Sequence, residues 1–275
     1  MSRVQIARAA LAAHACERTE GPADDLLRQG VDGEELSLQG GLHEWFSDDD
    51  RSHGWDWLPS MSVLIGLARR AVDVRAGSRS GAVRRAVWIG RRCWPYPPAL
   101  VWRGPSGTDR RLLHASLFVD PASRQERVWA IELAARCVGV GAVIADGSGL
   151  SMAETRRLQL ASTDTPLLVA RPSWESRELS AARTRWRVEP CAIDENESDR
   201  CQGWAVELMR CKGLRPEAPE DARRWLVRRN HGAVSDTVGI EHTWHRWSES
   251  DGGVAAAMDD GPDASSRQTQ GARIA

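Results

Sequence analysis

Residues 42–72 open with Leu42-His43-Glu44-Trp45-Phe46 and continue as Ser47-Asp48-Asp49-Asp50-Arg51-Ser52-His53-Gly54-Trp55-Asp56-Trp57-Leu58-Pro59-Ser60, then Met61 to Val72. The first run reads as a short strand and the last as the helix that follows it. Such a strand–loop–helix is the layout of a nucleotide-binding core. A phosphate cradle needs glycines so that backbone N–H groups converge, a lysine for the β/γ oxygens, and a Ser or Thr for magnesium. The loop at 47–60 has one glycine, no lysine and four carboxylates, three of them adjacent. Those charges repel a triphosphate. The expectation is an ATPase-like shape without the hydrolysis.

Outward from this unit the pattern repeats. Arg85 to Gly90 is a short apolar strand, and Pro95, Pro97 and Pro98 impose a loop soon after it. Leu113 to Val119 reads as another strand. Ser123 to Val138 reads as a helix with Val128, Ile131, Leu133, Ala134 and Val138 on its apolar side. Gly141-Ala142-Val143-Ile144-Ala145-Asp146 is a continuous apolar strand ending in a carboxylate. Ser151-Met152-Ala153-Glu154 is a capping box that opens a helix to Ser162. Thr165 to Ala170 is a fourth apolar strand. Continuous apolar strands alternating with helices predict a parallel sheet covered on both faces.

After Pro172 the period changes to two, in Thr184–Glu189, Gly203–Arg210 and Arg223–Val227. Alternation of this kind predicts antiparallel, half-exposed strands. The fold class is therefore α/β, a mostly parallel sheet flanked by helices with antiparallel strands at its C-terminal edge. Residues 1–35 form an amphipathic helix (2–15) and a polar linker, 36–230 the core domain, and 231–275 a small, polar, disordered tail.

Formal net charge is −1, which draws the chain to neither nucleic acid nor membrane by bulk electrostatics. Of 37 basic residues only Lys212 is lysine. Six scattered cysteines without metal spacing read as reduced thiols of a cytoplasmic protein. The N-terminus lacks a secretory pattern, and no window approaches the roughly 18 apolar residues of a membrane span. Thirteen tryptophans stand against one tyrosine and two phenylalanines. Trp88, Trp129, Trp186, Trp204 and Trp225 fall in apolar periodic segments and read as core. Trp45, Trp55, Trp57, Trp94 and Trp102 lie by loops at the ligand edge, where they cover the cleft a nucleotide would fill.

Asp146 ends a strand where a Walker B carboxylate would hold magnesium through water. Without a phosphate loop its simpler role is to cap the turn at Gly147-Ser148-Gly149. Ser60 and Asp146 are the degenerate nucleotide positions. The strand ending Ile89-Gly90-Arg91-Arg92 supplies no carboxylate base, so catalytic residues, a metal site and a bound cofactor are all expected to be absent. Arg91, Arg92 and Arg103, interleaved with Trp94 and Trp102, suit single-stranded nucleic acid, or else pair with Asp48 to Asp50 on a solvated edge. Arg183, Arg185 and Arg187 alternate with Trp186 and predict a basic stripe on one side of a strand. His242 and His245, three apart, lack a fixed third ligand for a metal.

Four runs resemble the ImuA family, RecA-like accessory factors of error-prone DNA synthesis: Arg127–Arg136, Glu154–Ala161, Ala182–Val188 and Trp204–Arg210, preceded by Gly41-Leu42-His43-Glu44. They occur in the family's order and spacing over roughly Leu38 to Val227. The acidic loop, the N-terminal linker and the long tail depart from it. The resemblance implies a RecA-like core and a non-catalytic adaptor role in SOS-linked translesion DNA synthesis. Its implied partners are an ImuB-like Y-family polymerase homologue and a DnaE-type error-prone polymerase, with RecA a further candidate. The rival readings are a divergent ATP-dependent enzyme using Ser60 and Asp146 with magnesium, and a plain single-stranded DNA-binding module.

Overall fold

The computed structural model describes residues 40–47, 57–76, 84–104, 107–194, 200–212, 224–230 and 241–246. The expected N-terminal helix and linker, Asp48 to Asp50, Trp55 and most of 231–275 lie outside the described residues. The elements are β1 (Gly41–Ser47), α1 (Met61–Ala76), β2 (Arg85–Ile89), β3 (Trp102–Gly104), β4 (Gly107–Asp109), α2 (Arg111–Ala115), β5 (Ser116–Val119), α3 (Arg124–Arg136), β6 (Val140–Asp146), α4 (Met152–Ala161), β7 (Pro166–Pro172), β8 (Thr184–Asp194), β9 (Arg200–Cys211), β10 (Arg224–Asn230) and β11 (Glu241–Arg246). Three short 3-10 turns follow β2, precede β3 and follow β7.

Among the described residues nine strands form one sheet in the order β11-β10-β9-β8-β1-β7-β6-β2-β5, while β3 and β4 make a separate hairpin. From β8 to β5 every neighbouring pair is parallel. From β8 outward to β11 every pair is antiparallel. The chain is thus an α/β protein with a largely parallel sheet, flanked by helices and extended by antiparallel strands.

Because successive strand residues point to opposite faces, each apolar strand feeds two cores. Ala86, Trp88, Ala142, Ile144, Leu168 and Ala170 pack with Leu64, Leu67 and Ala68 of α1 and Leu112 of α2. Val87, Ile89, Val143, Ala145, Leu167 and Val169 pack with Val128 and Ile131 of α3 and Leu158 of α4. These strands are hydrophobic without interruption because neither face meets water. On the α1 face a tryptophan ladder joins the two halves of the sheet. Trp45 stacks on Trp186 with ring centroids 5.1 Å apart and planes 5° apart, and Trp186 meets Trp225 at 5.5 Å.

The structure departs from several expectations. Leu113–Val119 is not one strand. Leu112 and Ala115 bury through a helical turn, and only Ser116–Val119 pairs with β2. In α3 the buried stripe is Val128, Ile131 and Ala135, whereas Trp129, Leu133 and Val138 are exposed. The i, i+3, i+7 set faces the sheet, and the solvent face retains large apolar residues. Strand β8 is not antiparallel to the core: it runs parallel to β1 and antiparallel to β9, with a register shift between Arg185 and Trp186. Strand β11 falls inside the segment read as tail. No helix among the described residues is long and apolar enough to cross a membrane.

Trp45→Ala is expected to cost about 3–5 kcal/mol in urea unfolding, through the cavity left against Trp186. Trp129→Ala on the exposed face of α3 should stay within about 0.5 kcal/mol. Equal losses would contradict this division of the tryptophans.

Candidate functional site at the carboxyl ends of the parallel strands

In an open parallel sheet, ligands sit outside the carboxyl ends of the strands. Here that edge collects Ser47, Asp146 and Arg171 at the ends of β1, β6 and β7. The turn after β6 is tight: a Cβ on Gly147 would lie 1.9 Å from Val169 Cγ1. Gly90, with φ 86°, turns the chain out of β2, and a Cβ there would approach Asp146 Cβ to 3.1 Å. These glycines let two turns close over one carboxylate.

That carboxylate has little capacity left. Asp146 Oδ1 accepts from the Ser148 N–H at 2.9 Å and Ser148 Oγ at 2.7 Å. Oδ2 accepts from Arg127 Nη1 at 2.8 Å, with Arg92 Nη1 at 3.6 Å. Arg127 continues to the Ser148 carbonyl at 2.7 Å. Asp146 is buried. A carboxylate offers about four lone-pair sites, so the turn and Arg127 nearly saturate it, with the Arg92 charge close by. The guanidinium of Arg92 also lies 5.5 Å from the ring centroid of Trp57, which is buried beneath it. Cys93 is buried next to this group. Burial, then the Asp146 charge, pushes its thiol well above the ordinary range against the pull of Arg127 and Arg92, so it stays protonated and inert.

Ser60 is likewise occupied. Its N–H donates to Ser47 Oγ at 2.9 Å, and the two hydroxyls lie 3.2 Å apart. The pair pins the two ends of the loop together.

The DNA or partner candidates separate in space. Arg91 forks onto Asp120 Oδ2 at 2.8 and 2.6 Å, which raises its pKa. Arg92 belongs to the Asp146 group. These two partners lie on the neighbouring strand ends rather than in the acidic loop. Trp94 is exposed and meets the exposed Phe118 edge-on at 5.7 Å. Arg103 lies on β3. Trp45 is a core residue and does not cover the strand ends.

The predicted basic stripe on β8 is not a stripe. Arg183 donates to the Gly40 carbonyl at 2.9 Å. Arg187 lies 3.6 Å from Glu207 and 3.9 Å from Glu189. Arg185 is buried and donates to Glu44 Oε2 at 2.8 Å. The parallel register that sets Glu44 opposite Arg185 draws this arginine inward.

Sequence reasoning missed the group this belongs to. Glu44, fully buried in β1, accepts from Arg171 Nη1 and Ser180 Oγ at 2.7 Å each, and from Arg185. Arg171 also binds Glu175 at 2.8 Å and the Leu150 carbonyl at 3.2 Å. Burial opposes the Arg171 charge, but Glu44 and Glu175 outweigh it and hold the guanidinium more firmly protonated. The Phe46 ring lies 5.9 Å from Arg171 and 4.8 Å from Arg185. The available signal was a glutamate inside an otherwise apolar strand, together with an arginine closing another.

Among the described residues no group of three or more His, Cys, Asp or Glu is placed to hold a metal. His242 and His245 fall on β11. No protein-family model matches the chain, and no curated protein matches it.

Glu44→Gln is expected to destabilise the fold by about 3–5 kcal/mol, because it leaves buried guanidinium charge without its counter-charge. Arg91→Ala, which breaks only an exposed pair, should leave the urea midpoint nearly unmoved. Denaturant unfolding of the two variants side by side reads this directly.

Proposed function

We propose that the chain is a non-catalytic, RecA-like accessory protein of SOS-linked translesion DNA synthesis, acting in the cytoplasm through protein–protein contacts. The observation that carries the non-catalytic part is the near-saturation of Asp146. A magnesium ion brought there would meet a carboxylate already engaged by its turn and by Arg127, and would sit beside two guanidinium groups, which repel it. Ser60, the other degenerate nucleotide position, has its N–H and hydroxyl engaged by Ser47. Strand order supports a nucleotide-core ancestry, since β6 with its terminal aspartate stands two places from β1. The pathway, and the partners (an ImuB-like Y-family polymerase homologue, a DnaE-type polymerase, RecA), rest on the sequence resemblance of Leu38 to Val227 to the ImuA proteins.

A second reading has one observation in its favour. Trp94 and Phe118 are exposed and in contact at the β5 edge, near Arg91, whose partner Asp120 follows β5, and exposed aromatics with a cation stack single-stranded bases. Salt-sensitive oligonucleotide binding that disappears in Trp94→Ala would favour that module.

Equilibrium dialysis with magnesium and ATP is expected to show no binding below about 1 mM, a range in which a working nucleotide site would fill. Asp146→Asn should leave this result unchanged while lowering stability by about 1–3 kcal/mol. Micromolar, magnesium-dependent binding abolished by that substitution would overturn the non-catalytic reading. Co-purification with the two polymerase-type partners tests the pathway.

A further inference from the structure

Between α4 and the end of β9 runs an open groove of about 530 Å³. Its walls are Met152, Arg156 and Leu160 from α4, facing Ala181, Arg210 and Lys212. The three helix residues recur every fourth position, so they form one stripe along the helix. Met152 and Leu160 are 46% and 71% exposed, an unusual outlay of apolar surface on a short helix.

The charges in the groove have one sign. Arg157, the next residue on α4, turns away and binds Glu132 of α3 at 2.9 Å. Arg156 has no carboxylate partner among the described residues, and neither does Lys212. Arg210 is held by the Ser180 and Ala182 carbonyls at 2.9 and 3.1 Å, which fix its position without cancelling its charge. Among the described residues no carboxylate lines the groove. The wall therefore offers aliphatic contact flanked by three cations, of which Arg210 is held in place.

We propose that this groove docks an acidic, aliphatic peptide segment of a partner protein, its apolar side chains against Met152, Leu160 and Ala181 and its carboxylates on Arg156, Arg210 and Lys212. Charge complementarity requires an anionic occupant. Among the described residues the lining contains no aromatic side chain on which nucleic-acid bases could stack. The exposed Trp94–Phe118 pair lies instead at the β5 edge. Aliphatic walls with cations suit a peptide whose apolar face enters a groove. The inference deepens the adaptor reading and rests on it, since it gives that adaptor a partner surface.

The test uses the full chain and a fluorescein-labelled peptide of about 12 residues rich in glutamate and leucine. Its lysine-for-glutamate counterpart and an oligothymidylate serve as competing probes. The acidic peptide is expected to bind, to weaken with added salt, and to lose about tenfold in affinity in Arg156→Glu and again in Lys212→Glu. Both sites are exposed, so folding should be retained, and Arg156→Gln provides a milder check. Absence of binding, equal binding by the variants, or preference for the oligothymidylate with the same mutational sensitivity would each overturn the proposal. Co-purification with the polymerase-type partners, run in parallel, separates the two ideas. If those partners bind equally well to Arg156→Glu, the groove fails while the adaptor stands. If the peptide binds the groove but the partners do not bind the chain, the adaptor pathway fails instead.

Discussion

Glu44 is a carboxylate with no access to water, in the middle of β1, held at 2.7–2.8 Å by Arg171 from β7, Arg185 from β8 and the hydroxyl of Ser180. Removing such charges from water costs several kcal/mol each, and the cost is offset only when every charge meets its counterpart with good geometry. The parallel core and the antiparallel extension meet at this group. A one-residue slip of β8 would carry Arg185 to the opposite face and leave Glu44 with one guanidinium fewer in apolar surroundings. The tryptophan ladder on the other face spans the same seam by dispersion and burial. Charge and aromatic packing therefore specify one register from opposite sides.

A similar arrangement recurs two strands away. Asp146 is closed in by Arg127, Arg92 and its own turn, so the edge of the sheet where ligands bind in open α/β folds has its polar groups directed at each other. A preorganised internal network of this kind leaves the Asp146 carboxylate little capacity for an incoming cation. What the protein presents outward lies elsewhere: the aromatic edge at β5, and the cationic groove beside α4. The proposed adaptor role calls for outward surfaces of this kind.

Much of the fold is legible in the order of the residues, for an identifiable reason. β6 and β7 are continuous apolar runs because both of their faces are covered. The capping box of Ser151 and Glu154 is a local hydrogen-bond pattern and announces itself over four residues. Leu113–Val119 misleads because a short apolar run has no periodicity of its own, and its split depends on what Leu112 and Ala115 pack against. β8 resembles an antiparallel strand on both sides because alternation reports half-burial and carries no direction. The arginines at 183, 185 and 187 alternate as a surface stripe would, yet one of them is drawn inside by a carboxylate 141 residues earlier.

Hydrophobic period and helix caps are short-range properties, so most strands and helices, and the parallel sheet that carries them, follow from the chain's local patterns. The composition of the loop after β1 is equally local, and it lacks the lysine and glycines of a phosphate cradle. Where the charges go is a different matter, settled by the packed fold alone. Glu44, Asp146 and the arginines that hold them come from separated elements, and their roles depend on distances of a few ångströms that no spacing along the chain encodes. The cations of the groove are left over for the same reason, because which arginines find a carboxylate is fixed when the sheet and its helices close.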